Sequence, residues 1–229
     1  GDGHGLERFF ATDTAIGPVS DTISIAAARG EAEPFQLAIS PKGNELESLK
    51  VLVEPAYDSE GAAVCQTEVN VVGYLKTTIP SRFRIDFPIG LHPDPLYSTN
   101  EADIPIGENR TWWITIRVAR EAKAGSFKGW IKILEEERVI TTIPYELIVF
   151  DFELPKQASL KTDFGCWAGR AIDVLSQVGY TGTGQDFYNE TVSLYLKNRV
   201  SPREKPLNWS NPRQAAQEAL RLVDLGMTT

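Results

Sequence analysis

The protein has 229 residues, 42% of them hydrophobic and 24% charged, which is enough apolar material for at least one large core. Its 31 acidic and 23 basic side chains give a formal net charge of -8, a balance that repels nucleic acid and anionic membrane surfaces. We therefore expect no nucleic-acid partner. No stretch approaches the ~20 consecutive apolar residues of a spanning helix, so we expect no membrane span either.

Short runs of alternating apolar and polar residues fill the region from Ser20 to Phe150. Turn residues separate these runs at intervals typical of all-β domains. The predicted strands are Thr22–Ala26, Pro34–Ser40, Leu49–Val53, Glu68–Leu75, Trp112–Val118, Phe127–Leu134, Val139–Ile143 and Tyr145–Phe150. About seven or eight strands is the size of a β-sandwich.

Residues Thr77 to Gly107 interrupt this pattern because they contain five prolines: Pro80, Pro88, Pro93, Pro95 and Pro105. Proline lacks the N–H that a strand ladder needs, so we expect no ladder here. The segment is too apolar for a disordered linker. It is predicted to be a long, ordered excursion from the sandwich.

The composition changes after Pro155, and helical periodicity appears. We expect a strand at Leu160–Trp167, a helix at Phe187–Asn198, a very short strand at Val200–Ser201 and a helix from Asn211 to Gly226. Repeating β/α units bury themselves only against further units of the same kind. The predicted fold class is therefore mainly β, with a β-sandwich domain at 1–155 and, at 156–229, the first β/α units of an incomplete (β/α)8 barrel.

Four residues are candidate substrate-binding positions because barrel sites lie at the carboxyl ends of the strands: Asp163, Trp167, Asn208 and Trp209. Tryptophan faces stack on sugar rings, and an asparagine amide donates to hydroxyl groups. Other interpretations stay open. Both tryptophans also fit packing under loops, and Asp163 fits a structural salt bridge or hydrogen bond.

Cysteine and histidine are scarce. Cys65 and Cys166 are expected to be free thiols rather than a disulfide or a metal pair. His4 and His92 are the only histidines, which leaves almost no material for a zinc site or a histidine-based triad. We expect no metal and no cofactor.

Several runs, taken together and in order, resemble the amino-terminal region of glycoside hydrolase family 123. They are Arg29–Gln36, Pro93–Leu96, Asn109–Ile116, Ala122–Gly129, Val149–Pro155 and Tyr195–Pro202. The resemblance covers nearly the whole chain. It implies an exo-acting β-N-acetylgalactosaminidase-like enzyme in which the acetamido group of the substrate attacks the anomeric carbon, and thus a glycan partner. It also favours an exported protein, although the sequence itself gives no compartment.

In that family a neighbouring Asp–Glu pair supports the reaction: the Asp orients the acetamido group and the Glu is the general acid/base. Nowhere in these 229 residues does an Asp directly precede a Glu. The catalytic pair is therefore expected beyond Thr229, or else the protein lacks the pair and uses other chemistry. In either case we expect this chain alone to hydrolyse no chromogenic hexosaminide. Two classes of function stay open: the amino-terminal part of a glycosidase, or a non-catalytic β-sandwich that binds glycans or serves a structural role.

Overall fold

The computed structural model describes residues 9–13, 22–80, 89–165, 168–176, 179–203 and 210–227. The chain divides into two units, Gly1–Leu154 and Pro155–Thr229. Among the described residues, the first unit contains the strands β1 (Ile23–Arg29), β2 (Ala32–Ile39), β3 (Leu46–Glu54), β4 (Cys65–Thr77), β5 (Gly90–Tyr97), β6 (Glu101–Ile104), β7 (Arg110–Val118), β8 (Gly125–Glu135) and β9 (Arg138–Glu153). The second contains the helices α1 (Ala168–Leu175), α2 (Gly184–Lys197) and α3 (Pro212–Asp224).

The strands of the first unit form two sheets, which confirms the prediction of a mainly β protein. Sheet A has the order β1-β9-β8-β3-β6, and sheet B has the order β2-β7-β4-β5. Only β1 and β9 are parallel among the pairs of described strands; the others are antiparallel. One apolar core contains residues of both sheets, so the sheets pack face to face.

Alternation along the strands builds this core, because successive side chains of a strand point to opposite faces. In β7, Trp112, Ile114 and Ile116 are fully buried, while the intervening Trp113 is only half-buried. Tyr145 and Leu147 of β9 are also fully buried. At ~25 cal/mol per Å² of apolar surface removed from water, these large side chains dominate the stability of the unit.

The prediction of a proline-rich excursion without a ladder is wrong. Residues Gly90–Tyr97 form β5, which pairs with β4, and Glu101–Ile104 form β6, which pairs with β3. Both are edge strands. An edge strand needs its N–H groups on one side only, so Pro93 and Pro95 are tolerated where a central strand would reject them.

A second correction concerns Pro144, which was expected to separate two strands. Residues Arg138–Glu153 instead form the single strand β9, in which Pro144 faces Trp130 of β8. The first residue of β9 to pair with β1 is Tyr145. Pro144 therefore lies where β9 is still an edge, and its missing N–H removes no ladder bond on the β1 side.

In the second unit both predicted helices are present, and α1 is an additional helix that periodicity did not reveal. Asn211 caps α3 by accepting a hydrogen bond from the Gln214 N–H, and Pro212 occupies the first turn. Of the predicted strands at Leu160–Trp167 and Val200–Ser201, the described residues retain one parallel bridge, which joins Phe164 to Pro202 just after the second segment. No described helix of the protein is long and apolar enough to cross a membrane.

Helix α2 begins with a capping box formed by Thr183 and Asp186. The Thr183 hydroxyl accepts from the Asp186 N–H at 3.2 Å, and the Asp186 carboxylate accepts from the Thr183 N–H at 2.8 Å. The hydrogen bonds from the Thr183 side chain, and then from its backbone, hold the pKa of Asp186 below its ordinary value.

Thr183→Ala is expected to destabilise the second unit by about 1 kcal/mol, because it removes the cap. A carboxyl group with a lowered folded-state pKa contributes stability that is present above its unfolded pKa of ~3.9 and lost as pH falls through the folded value. The wild-type helix signal should therefore weaken on acidification, and the variant should lose less. Far-UV circular dichroism melts over a pH series measure this, with Thr181→Ala as the control. Equal acid sensitivity in all three proteins would contradict it.

Candidate functional site

The candidate site of the second unit lies around the bridge between Phe164 and Pro202. The Phe164 N–H donates to the Ser201 carbonyl at 3.0 Å, and the Arg203 N–H donates to the Phe164 carbonyl at 2.7 Å. This is the slanted pattern of a parallel ladder. Helices α1 and α2 connect the two segments, so the chain forms a parallel pair with a helical crossover.

Parallel pairing brings Asp163 and Arg203 together. The Arg203 Nε–H donates to Asp163 Oδ2 at 3.1 Å, and the two side chains are 59% and 66% exposed, respectively. A guanidinium and a carboxylate that are this open to solvent retain further donor and acceptor capacity. The pair can therefore bind a hydroxyl-rich ligand without first breaking.

Two aromatic residues beside this pair were missed by the sequence analysis. Phe164 is 52% exposed, and its ring meets that of Tyr195 edge to face, with 6.3 Å between centroids. The Tyr195 hydroxyl donates to the Gly165 carbonyl at 3.0 Å, which ties α2 to the end of the first segment. The available signal was that Tyr195 begins one of the runs resembling family 123.

The predicted substrate-binding residues have different outcomes. The structure places Asp163 in the ion pair with Arg203. Trp167, Asn208 and Trp209 lie outside the described residues, so the expectation that they share a site with Asp163 stays a prediction. Over the described ranges, no group of three or more His, Cys, Asp or Glu side chains could hold a metal ion.

Asp163→Asn should change the free energy of unfolding by less than about 1 kcal/mol, since ion pairs this exposed contribute little to stability. Urea titrations of the wild type, Asp163→Asn and the partner change Arg203→Gln measure it. A substantially larger loss would assign the pair a structural role and remove Asp163 from the candidate site.

No family model matches the sequence, and no curated protein matches it either. Among solved structures, the chain is similar to a family 123 glycoside hydrolase from Clostridium perfringens that was analysed for glycolipid glycan hydrolysis. The TM-score is 0.68 at 14% identity, over 79% of this chain and 32% of that chain. At this identity the likeness concerns the fold, and the chain spans about a third of that enzyme's length.

Two other solved structures match over most of their own length, with low TM-scores. A PapD-like domain of human CEP192 has a TM-score of 0.28 at 10% identity, over 64% of this chain and 99% of that one. A cysteine protease inhibitor from Entamoeba histolytica has a TM-score of 0.25 at 9% identity, over 57% and 88%.

Proposed function

We propose that the chain is the amino-terminal part of a glycoside hydrolase related to family 123. In this proposal, residues 1–155 form a sandwich domain and residues 156–229 begin a (β/α)8 barrel. The observation that carries it is the match to the Clostridium enzyme, which extends over 79% of this chain. The parallel bridge between Phe164 and Pro202, with its helical crossover, supports the β/α interpretation because barrel strands are parallel.

The carboxyl end of the first barrel strand would then contribute to a sugar-binding pocket. Asp163 and Arg203 supply hydrogen-bonding groups at that end, and Trp167 and Trp209 are proposed to stack on the faces of the sugar, with Asn208 donating to a hydroxyl group. The substrate class is a β-linked N-acetylhexosaminide, whose acetamido group is the internal nucleophile. The Asp–Glu pair that this reaction requires is absent from the chain, so catalysis is proposed only for the longer enzyme.

Sugar binding by the chain itself provides the test. The five tryptophans give separate indole signals in ¹H–¹⁵N spectra, which Trp→Phe variants assign. Titration with N-acetylgalactosamine to about 10 mM, several times a millimolar dissociation constant, should shift the Trp167 and Trp209 signals. The signal of Trp112, which is fully buried, should not move.

Two controls make the result specific. Asp163→Asn should weaken the binding without altering the fold, and galactose, which lacks the acetamido group, should bind less tightly. Absence of any shift overturns the proposed pocket. Shifts confined to Trp113 or Trp130 of the sandwich would instead favour the alternative function, a non-catalytic glycan-binding module.

A further inference from the structure

The edge of the sandwich contains a cleft of about 360 Å³ between sheet A and sheet B. We call it the edge cleft. It is lined by Val51, Leu52, Val53, Thr67, Val69, Ser98, Thr99 and Asn100. These residues come from β3, from β4 and from the crossover that leads from β5 to β6. The cleft therefore opens where the chain crosses from β5, the edge strand of sheet B, to β6, the edge strand of sheet A.

On sheet A, the pairing of β3 with β6 stops before β3 ends. The Val51 N–H donates to the Asn100 carbonyl at 2.9 Å, and the Asn100 amide Nδ2 donates to the Val51 carbonyl at 3.1 Å. Alternate residues of a strand direct their backbone groups to the same edge, so the backbone of Val53 faces the cleft as well. Its carbonyl accepts from the Thr67 hydroxyl at 2.9 Å. Within the described part of the chain, no residue accepts from the Val53 N–H.

On sheet B, the pairing of β4 with β5 ends at the same level. The Val71 N–H donates to the Thr99 carbonyl at 3.0 Å, and the register of β5 on β4 begins at Val71. From Cys65 to Asn70, β4 pairs only with β7 among the described strands. By the same alternation, the backbone groups of Val69 and Thr67 point into the edge cleft.

The chemistry of the lining selects the kind of ligand. None of the eight residues is charged, and the nearest charged side chains of β3 are already paired, Lys50 with Glu101 and Glu137, and Glu54 with Lys132. The Thr99 hydroxyl exchanges hydrogen bonds with the Glu101 backbone, and the Asn100 amide is held by Val51. Besides the Ser98 hydroxyl, the lining offers a ligand main-chain hydrogen-bonding groups and aliphatic side chains, and it has no aromatic platform for a sugar.

We propose that the edge cleft binds an extended peptide segment of a partner protein. The peptide adds as a strand either to β4, in line with β5, or to β3, in line with β6. It exchanges main-chain hydrogen bonds with Val69 in the first case and with Val53 in the second. One aliphatic side chain of the segment enters the opening between the sheets, beside the half-buried Val53 and Val69. Strand addition of this kind draws its affinity from backbone groups and its selectivity from alternate side chains. The inference is independent of the proposed glycosidase function.

The test is a selection of displayed random linear peptides on the immobilised full-length chain. Enriched peptides are then synthesised and titrated by fluorescence polarisation against the wild type and two variants. Ser98→Trp fills the cleft from the exposed crossover, and Ser24→Trp makes the same change on exposed β1, at the opposite edge of sheet A. Each peptide is also made with a single N-methyl group at every amide in turn, which blocks one backbone donor and leaves the protein unchanged.

We expect peptides whose affinity falls at least tenfold with Ser98→Trp and is unchanged with Ser24→Trp, and whose N-methyl sensitivity alternates along the sequence. Three results would overturn the proposal: no enriched peptide, equal binding to Ser98→Trp and the wild type, or N-methyl effects without alternation. Equal weakening by both tryptophan variants would do so as well, because it would report a general loss of structure.

Discussion

Gly129→Ala is expected to destabilise the sandwich by about 3 kcal/mol, an effect at the upper end for adding one methyl group to a packed core. A Cβ at Gly129 would lie 2.2 Å from Tyr145 Cζ and 2.3 Å from the Tyr145 hydroxyl oxygen. Gly129 and Tyr145 face each other in the β8–β9 register, and Tyr145 is fully buried. The ring cannot move away without breaking the hydrogen bond that its hydroxyl donates to the Glu54 carbonyl at 2.7 Å.

The state of the Tyr145 hydroxyl strengthens this expectation. Burial, and then the neighbouring Cys65, raise the pKa of Tyr145, so the phenol remains protonated and keeps donating. A displaced ring would leave a buried donor and the Glu54 carbonyl unsatisfied, which adds to the steric cost. The destabilisation should therefore not be relieved by raising the pH within the range in which the protein is folded.

Thermal denaturation followed by near-UV circular dichroism measures the effect, and a fall in Tm of about 6–12 °C is expected for a unit of this size. Gly43→Ala is the matched control, because nothing lies within 4 Å of its added Cβ and its φ is not in the left-handed region. Exchanging glycine for alanine where there is space reduces the entropy of the unfolded chain, so this control should be neutral or slightly stabilising. An unchanged Tm for Gly129→Ala would contradict the close packing of the Tyr145 ring against Gly129.

Trp112→Ala should be about as damaging, at roughly 3–5 kcal/mol. Trp112 is the largest fully buried side chain among the described residues, and it contacts the centre of the core. Its Nε1–H donates to the Asn100 carbonyl at 3.0 Å, in the crossover that lines the edge cleft. The substitution therefore opens a cavity and also removes one of the two donors to the Asn100 carbonyl, the other being the Val51 N–H.

The adjacent Trp113 provides the control. It projects from the opposite face of β7 and is only half-buried, so Trp113→Ala should cost clearly less than Trp112→Ala. Urea unfolding of the two variants gives the comparison. Equal losses would contradict the assignment of Trp112, rather than Trp113, to the core.

Much of the sandwich could be predicted from the sequence, because alternation is a local property. The runs around Trp112–Val118 and Phe127–Leu134 coincide with β7 and β8 to within two residues at either end. Strand order is not local. The edge positions of β5 and β6 depend on the whole strand order, and the edge position of β5 explains why its prolines are tolerated. Pro144 was placed between two strands for the same reason, since the sequence does not show which part of β9 has a partner on its second side.

The candidate site could be predicted only in part. Asp163 was chosen for its place near a strand end, but its partner Arg203 lies 40 residues further along the chain, and only the parallel bridge brings them together. Phe164 and Tyr195 carry no catalytic signature in a sequence, so their contact was not foreseen. The sugar-binding roles of Trp167, Asn208 and Trp209 stay proposals.

The parallel pairing of β1 with β9 has a consequence for synthesis on the ribosome. Ile23 of β1 pairs with Tyr145, and the Leu154 N–H donates to the Arg29 carbonyl. Strand β1 thus emerges early, and more than a hundred further residues have to be translated before its partner strand exists. Until then its apolar face is available to chaperones, and a nascent chain that stalls before β9 should be a preferred target of them.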